Sequence, residues 1–254
     1  MTVISTTKKG SIYKESAHSA QIVREYYRIG DKPIADIFSL LEQNGFLILS
    51  FHCEATKFSG FYTKRGNKRC IYVNSHHSLG KQNYSLAHEL YHAFFEPDKT
   101  AVCFENDIST VENEYFAECF ASHFLMPESE VLSVIKTIGI SLQNFKIVDA
   151  IRLQHYFKVS LTAIIIKLSK MKLITYDYGK RLQENCSIEN AQALQRLTRE
   201  LGYDVNLILP TQIRLPDGFR KDLEKNFKDG KIDEEKYAEV LSIVDILGSI
   251  WQKE

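Results

Sequence analysis

The sequence predicts an α+β fold, in which a short antiparallel sheet lies beside two long helices and a mostly helical part follows. The first observation is the apolar run of residues 46–51 (FLILSF), which is typical of a buried strand. The second is a pair of alternating segments, residues 58–63 and 70–74, on either side of the turn-forming RGNK of residues 65–68. The third is that apolar residues recur at helical spacing through most of the second half of the chain.

In chain order, the first part is expected to contain two helices, the strands and then two long helices. Asp31-Lys32-Pro33 is expected to begin the second helix, because proline suits a first helical turn, and Asn44-Gly45 is expected to end it. An edge strand of the sheet, such as residues 71–74, can pair with an extended peptide.

Residues 141–172 are expected to form a helix-turn-helix-like pair. Ser141 is expected to cap the first helix, and Ser160 is expected to cap a second helix that runs to about residue 172. Residues 163–166 (AIII) have the composition of a core, which favours packing over DNA reading. The competing observation is three lysines that could face phosphate, namely Lys167, Lys170 and Lys172.

The last third of the chain is expected to contain a helix at residues 187–202, an extended piece at 206–209, and a terminal helix that Asp233 caps. We expect the apolar face of the terminal helix to pack on the rest of the chain, whereas an exposed face would serve a partner or a homodimer. That face is made of Tyr237, Val240, Leu241, Val244, Leu247 and Trp251.

Composition excludes several classes of function. With 254 residues, 44% of them hydrophobic, the chain can bury a sizeable core. The 32 Lys and Arg balance the 32 Asp and Glu, so no global charge drives binding to nucleic acid or to a membrane. The five cysteines form no C-x-x-C pair, which fits reduced thiols in a cytosol. Because no apolar run suits a signal peptide or a bilayer span, we expect a cytoplasmic protein with no membrane partner.

The segment His88-Glu89-Leu90-Tyr91-His92 has the pattern HExxH. Residues four apart lie on one face of a helix, so both imidazoles can reach a single Zn²⁺ while Glu89 faces the position that a water occupies. Helix-compatible residues flank the motif, and Pro97 closes the element. The sequence therefore predicts a zinc-hydrolase centre, with His88 and His92 as ligands and Glu89 as the general base.

A catalytic zinc takes three protein ligands, and the third is expected within residues 109–127. Ser109 and Glu112 have the spacing of a capping box, and small and apolar residues follow at helical spacing. Glu112 points away from this apolar stripe, whereas Glu114 lies at its edge and Glu118 follows one turn later. We assign Glu114 as the third ligand and Glu118 as the carboxylate that hydrogen bonds a zinc-bound histidine.

The remaining histidines and tyrosines carry weaker patterns. His76-His77 follow a strand and are interpreted as a solvated turn near the cleft, and His123 is not expected to be a ligand. The donor that stabilises the oxyanion in such sites is not identified by pattern. Residue type alone suggests Tyr84, Tyr115, His76 and His77.

Motifs along half of the chain resemble those of the ImmA/IrrE metallopeptidases, which are gluzincin-like proteins associated with helix-turn-helix repressors. The resemblance includes GDKPIADI (30–37), FSGF (58–61), IYVN (71–74), SLAHELYH (85–92) and EYFAECFASHFLMP (114–127), in the family's order. The resemblance implies that His88, His92 and Glu114 are the metal ligands and that Glu89 is the general base. These are the same residues that the helical spacing indicates. The chain departs from the family pattern at Tyr91, where a small residue is usual, and at Glu118, where Asn or Asp is usual.

The expected function is therefore a zinc-dependent endopeptidase, and the resemblance implies that its substrate is a helix-turn-helix transcriptional repressor. The alternative is a non-catalytic zinc-containing regulator that binds a repressor or DNA; a hydrolase of small molecules is a weaker third reading. The expected organisation is a metallopeptidase domain at residues 1–127, a helix-turn-helix-like segment at 128–176 and a helical C-terminal region at 177–254.

Overall fold

A computed structural model describes residues 4–55, 58–97, 108–216 and 218–250. It has the predicted α+β class, with a three-stranded sheet beside a larger number of helices. The strands are β1 (Phe46–Phe51), β2 (Gly60–Arg65) and β3 (Lys68–Asn74). The helices of the described residues are α1 (Thr6–Tyr26), α2 (Ile37–Gln43), α3 (Leu79–Phe95), α4 (Ile108–Leu125), α5 (Glu128–Thr137), α6 (Ile147–Phe157), α7 (Leu161–Lys170), α8 (Tyr176–Gln183), α9 (Ala191–Glu200), α10 (Phe219–Lys228) and α11 (Glu234–Ile250).

The sheet has the strand order β1-β3-β2, so β3 lies in the centre. The predicted hairpin is confirmed, since β2 and β3 are antiparallel with Arg65 opposite Lys68. The prediction of an antiparallel sheet is wrong for β1, which runs parallel to β3 with Ile48 opposite Ile71. Residues 71–74 are therefore not an edge strand. Strand β1 is buried mainly on one face, since Leu47 is 39% exposed, whereas residues 71–74 of β3 are buried on both faces.

The outer edge of β1 is covered by a segment from the last third of the chain. The backbone groups of Ser50 and Arg214 pair in both directions, at 2.9 and 2.7 Å, and the Arg214 guanidinium forms an ion pair with Glu42. The expected extended piece at residues 206–209 is instead a 3-10 turn at Val205–Ile208, which Asp204 caps. On the other side of β3, the outer strand β2 packs against α3.

Local capping explains where several helices begin. Helix α2 begins at Ile37 and not at residues 31–33 as predicted, because the Asp36 carboxylate accepts the Ser39 N–H at 3.2 Å. Helix α4 begins at Ile108, so Ser109 lies within its first turn; the side chain of Ser109 lies outside the described residues. The carboxylate of Glu112 contacts Lys8 at 3.3 Å.

The helix-turn-helix-like pair corresponds to α6 and α7. Ser141 precedes a 3-10 turn and not a helix as predicted, and α6 begins at Ile147, where the Asp149 carboxylate accepts the Lys146 backbone N–H at 2.9 Å. The Ser160 cap of α7 is confirmed, since its hydroxyl accepts the Ala163 N–H at 3.2 Å. Within the pair, Lys167 is completely buried. It therefore cannot meet phosphate at the surface.

In the last third, the helix predicted at 187–202 is shorter, because 3-10 turns occupy Glu184–Cys186 and Ile188–Asn190 before α9. Helix α10 was not predicted. Helix α11 begins directly after Asp233, as predicted, and Tyr237 stacks on Phe227 with ring centroids 4.7 Å apart. The side chains of Val244, Leu247 and Trp251 lie outside the described residues, so the use of this apolar face remains a prediction.

The core is one cluster of buried side chains that extends from Ala20 in α1 to Leu182 in α8. The three-part division of the chain at residues 127 and 176 stays a prediction. The four cysteines described, Cys53, Cys70, Cys119 and Cys186, are free thiols. Among the helices of the described residues, none is both long and apolar enough to cross a bilayer.

Gly80 allows α3 to approach the turn between α6 and α7 closely. A Cβ atom at position 80 would lie 2.6 Å from the Val159 carbonyl oxygen, and the Asn83 amide donates to the Lys158 carbonyl at 2.7 Å beside it. We expect Gly80→Ala to lower the free energy of unfolding by about 1–3 kcal/mol, since backbone must move to admit the methyl group.

Urea unfolding measures this effect, and Gly10→Ala in α1 is the matched control. A Cβ at Gly10 meets no atom within 4 Å, so that change should stabilise by roughly 0.5–1 kcal/mol through helix propensity alone. Equal stabilisation by both substitutions would contradict the proposed close approach.

Candidate metal centre

Helices α3 and α4 bring His88, His92 and Glu114 together. The Nε2 atoms of His88 and His92 are 3.3 Å apart, and Glu114 places Oε2 3.1 Å from His88 Nε2 and Oε1 3.5 Å from His92 Nε2. The HExxH spacing puts both imidazoles on one face of α3, and the packing of α4 brings Glu114 opposite them. Three donors from two helices therefore converge on one point.

The spacing of these donors fits a tetrahedral metal ion. Bonds of about 2.0–2.1 Å from zinc to nitrogen or oxygen, at tetrahedral angles, separate neighbouring ligand atoms by about 3.3 Å. The two imidazole nitrogens lie at that separation, and each has one oxygen of Glu114 within 3.1 to 3.5 Å, Oε2 for His88 and Oε1 for His92. Within the described residues, this is the one group of His, Cys, Asp and Glu side chains with metal-binding geometry. Two imidazoles and one carboxylate are a donor set typical of catalytic zinc.

The protonation of the metal-free centre depends on the carboxylates around it. Burial alone lowers the pKa of His88, but its hydrogen bond to Glu114 and the charges of Glu89 and Glu114 outweigh burial and raise the pKa to about 9. The pKa of His92 is lowered by burial and by the charge of His88. Binding of a cation at this site must displace the proton from His88, so its affinity should fall as the pH falls.

Glu89 lies between α3 and the edge strand β2. Its side chain is buried, and burial raises the pKa of the carboxyl to about 7, with an opposing effect from His88. The backbone of Tyr62 hydrogen bonds to the carboxylate. A carboxylate with a pKa near neutrality is suited to take up and return a proton, which is the chemistry expected of a general base.

Comparison with protein families agrees with this geometry. Residues 41–169, just over half of the chain, match the model of a peptidase family described as the IrrE N-terminal-like domain. The chain belongs to the ImmA/IrrE family of peptidases. No curated protein matches the chain significantly. The matched range contains β1 to β3 and both helices of the centre, so the centre lies inside the part that defines the family.

In this ImmA/IrrE peptidase, Glu96 orients one of the two histidines. The Glu96 carboxylate accepts the Nδ1–H of His92 at 2.7 Å and an amide N–H of Asn113 at 2.9 Å. Such a hydrogen bond fixes the tautomer that leaves Nε2 free for a metal. The sequence interpretation missed Glu96. Its spacing of four residues from His92 could have indicated the contact, because residues four apart lie on the same face of a helix.

Glu118, to which the sequence interpretation gave that role, lies elsewhere. Its side chain is exposed, and it affects His88 through its charge, which raises the pKa of that histidine. Within the described part of the chain, its carboxylate forms no hydrogen bond with His88 or His92. A direct role for Glu118 at the metal therefore stays a prediction.

The other histidines do not join the centre. His123 is buried against the ammonium of Lys167, at 3.0 Å, and the ring of Tyr13. His77 is buried as well and contacts Lys81 at 3.1 Å, so the interpretation of His76-His77 as a solvated turn is wrong for His77. Burial and a lysine beside each ring lower the pKa of both His77 and His123 to about 4.

The two tyrosines suggested as oxyanion donors are engaged in other contacts. The Tyr84 hydroxyl donates to the Glu118 backbone carbonyl at 2.7 Å, and Tyr115 carries Lys170 over its ring. Tyr91 stands in the HExxH motif at the position where the family usually has a small residue. It is buried and stacks on Phe116 with ring centroids 5.1 Å apart. The bulk of Tyr91 is therefore placed among the aromatic side chains of α4.

We expect Glu96→Ala to weaken zinc binding by about 10- to 100-fold, because His92 loses the acceptor that orients it. The measurement is competition with a zinc indicator at constant pH. Glu118→Ala is the matched control, as it removes a carboxylate of the same type that makes no hydrogen bond to either histidine. A larger loss of affinity in Glu118→Ala than in Glu96→Ala would reverse the assignment.

Proposed function

We propose that this chain is a zinc-dependent endopeptidase that cleaves a helix-turn-helix transcriptional repressor. The observation that carries the proposal is the convergence of His88, His92 and Glu114, whose ligand atoms lie within 4.8 Å of one another, with Glu89 beside them. Membership of a peptidase family supports hydrolysis of peptide bonds. When bound, zinc supplies a Lewis acid that polarises a water and the scissile carbonyl.

In the proposed mechanism, Glu89 performs the proton transfers. Its carboxylate accepts a proton from the attacking water and returns it to the amine that leaves. The Tyr62 backbone contact and the surrounding burial hold the carboxylate in place. His88, His92 and Glu114 would hold the ion, and Glu96 fixes the orientation of His92.

The substrate is proposed to bind as an extended strand along β2. In an antiparallel pair, hydrogen-bonded residues alternate, and Asn74 N–H donates to Ser59 C=O at 2.9 Å. The same register turns the backbone groups of Gly60 away from β3. Since the Tyr62 backbone also reaches Glu89, a peptide paired with this edge would present its carbonyl beside the general base.

The repressor as substrate follows from what the family resemblance implies, and the geometry adds a constraint. A helix cannot pair with a strand edge unless it unfolds, so we propose cleavage in an interdomain linker or a locally unfolded element of the repressor. The place of action would be the cytoplasm, where a repressor binds DNA. We do not propose that this chain binds DNA directly, because Lys167 of the α6–α7 helix pair is buried.

The test is incubation of the zinc-loaded chain with the helix-turn-helix repressor encoded beside its gene. The expected result is two fragments with masses that add to the intact repressor, and their loss on addition of a chelator. Binding of the repressor without cleavage, with zinc bound and the repressor mobile, would favour the non-catalytic regulator instead.

A further inference from the structure

Lys81, in the first turn of α3, lines a cavity between α3, α4 and α7. The volume of this cavity is about 480 Å³, within the range of about 300–1,000 Å³ that is typical of ligand sites. Tyr84 of α3 and Glu118 of α4 also line it. Because Tyr84 precedes His88 by one helical turn and Glu118 follows Glu114 by one turn, the cavity lies beside the metal centre.

The charged side chains of the lining are two lysines and one glutamate, so their sum is positive. They are Lys81, Lys170 and Glu118. The Lys170 ammonium lies at the far end of α7, 3.4 Å from the Cys119 sulfur and over the ring of Tyr115. The side chain of Glu118 is exposed, so water and salt screen its charge. Neither residue forms an ion pair with another described residue, and the cavity favours an anionic occupant over a cationic one.

The Lys81 ammonium has no acidic partner among the described residues. It lies 3.1 Å from Nε2 of His77. This imidazole is neutral at pH 7, because burial and the charge of Lys81 lower its pKa to about 4. Burial also lowers the pKa of Lys81, and the charge of Glu118 opposes that effect although the two side chains form no ion pair. A half-buried ammonium with neutral neighbours would gain from a carboxylate, since hydrogen bonds between charged groups are strong.

Two helices begin beside Lys81. Ser78 caps α3 and Ser160 caps α7, and both serines line the cavity. The two helix starts are in close contact, since a Cβ atom at Gly80 would lie 2.8 Å from the Ser160 backbone nitrogen. The first turn of a helix has a partial positive charge, which here adds to the charge of Lys81.

Contacts between Lys81 and the sheet relate it to the scissile bond. His77, which contacts Lys81, also lies 3.5 Å from the hydroxyl of Ser59, the residue directly before β2. Three residues further along, the Tyr62 backbone hydrogen bonds to Glu89. A strand advances about 3.3 Å per residue. A peptide that pairs with β2 and has its scissile carbonyl at Glu89 therefore brings a side chain near Lys81 two or three residues away.

We propose that Lys81 is a specificity-determining residue, which binds the carboxylate of an aspartate or glutamate at the second or third residue from the scissile bond of the substrate. The Lys81 ammonium donates hydrogen bonds to this carboxylate, and the starts of α3 and α7 stabilise its negative charge. A lysine or arginine at the same substrate position would be repelled, which excludes such sequences. The inference rests on the proposed endopeptidase function, since the occupant is a residue of the substrate.

The test is binding of a positional-scanning peptide library to the zinc-loaded Glu89→Gln variant, so that the readout does not depend on turnover. The peptides are acetylated and amidated, so that their carboxylates belong only to side chains. At one position we expect aspartate or glutamate to bind about tenfold more tightly than asparagine or glutamine, and lysine to bind most weakly. In the same background, Lys81→Met should abolish this preference, Lys81→Arg should keep it and Lys81→Glu should reverse it in favour of lysine.

Lys136→Glu is the matched control, because Lys136 is an exposed lysine of α5 outside the cavity. It should leave the acidic preference unchanged. Glu118→Gln should strengthen the preference, since it removes the negative charge of the lining. A weaker preference in Glu118→Gln, or one lost equally in Lys136→Glu, would contradict the assignment to Lys81.

The possible results separate this inference from the proposed function. Cleavage of the library without an acidic preference would overturn the role of Lys81 and leave the endopeptidase function in place. A preference that reverses in Lys81→Glu, with no cleavage by the unsubstituted zinc-loaded chain, would support peptide binding by Lys81 and contradict the function. A preference that persists in both Lys81→Met and Lys81→Glu would overturn the inference. Binding of free glutarate that depends on Lys81, with peptides bound equally whatever their charge, would overturn it as well, because the occupant would then be a small dicarboxylate.

Discussion

Glu89→Gln is expected to reduce peptide hydrolysis by about 10²- to 10⁴-fold while the metal stays bound. The glutamine amide has nearly the shape of the carboxylate, but it cannot accept a proton from water at neutral pH. Glu89 also lies outside the group of three donors that fits a metal. The measurement is the initial rate of repressor cleavage at saturating zinc, together with the metal content of the purified variant.

Glu112→Gln is the control for this experiment, because Glu112 lies on α4 but its carboxylate contacts Lys8. It should retain both zinc and activity. If Glu89→Gln retained full activity, or if it lost activity only because zinc was lost, the role of general base would be wrong.

The candidate site could be derived from the sequence because most of it is local. His88, Glu89 and His92 belong to one helical turn, so their shared face follows from helix geometry alone. Glu114 lies on a second helix, α4, and helix geometry within α3 could not indicate it. It was proposed as the third ligand because it lies at the edge of the apolar stripe of α4. Glu96 was missed because the sequence led us to expect the histidine's carboxylate partner on the second helix, at Glu118.

The order of the strands was harder to derive. A hairpin such as β2 and β3 is specified by a turn and two alternating segments, all within a few residues. The parallel pairing of β1 with β3 depends on contacts between residues that are far apart in the chain, for which the sequence contains no turn signal. The prediction that residues 71–74 form an edge strand was wrong for this reason, and β2, beside Glu89, is an outer strand of the sheet.

Other features depend entirely on tertiary contacts. The segment that includes Arg214 pairs with β1 only because the rest of the chain brings it there, and its residues carry no strand pattern of their own. Lys167 has the appearance of a surface residue in the sequence, yet it is buried with Tyr13 and His123. A buried lysine at the end of an apolar helix can be recognised only when its partners are known.

Loss of a ligand should remove the metal and the stability that it provides. His92→Ala or Glu114→Ala leaves two of the three donors, so we expect the stoichiometric zinc of the unsubstituted chain to fall to near zero by elemental analysis. A ligand that binds the folded state at 1,000 times its dissociation constant stabilises it by about 4 kcal/mol. A chelator should therefore lower the thermal midpoint of the unsubstituted chain.

The same chelator should leave the midpoints of the His92→Ala and Glu114→Ala variants unchanged, because those variants have no bound metal to lose. Glu112→Ala keeps all three donors and should respond to the chelator as the unsubstituted chain does. Only an ion held by His92 and Glu114 produces this pattern across the four proteins. If the chelator lowered the thermal midpoint of Glu114→Ala as much as that of the unsubstituted chain, the stabilising ion would bind elsewhere. If both ligand variants retained zinc, the assignment of the centre would be wrong.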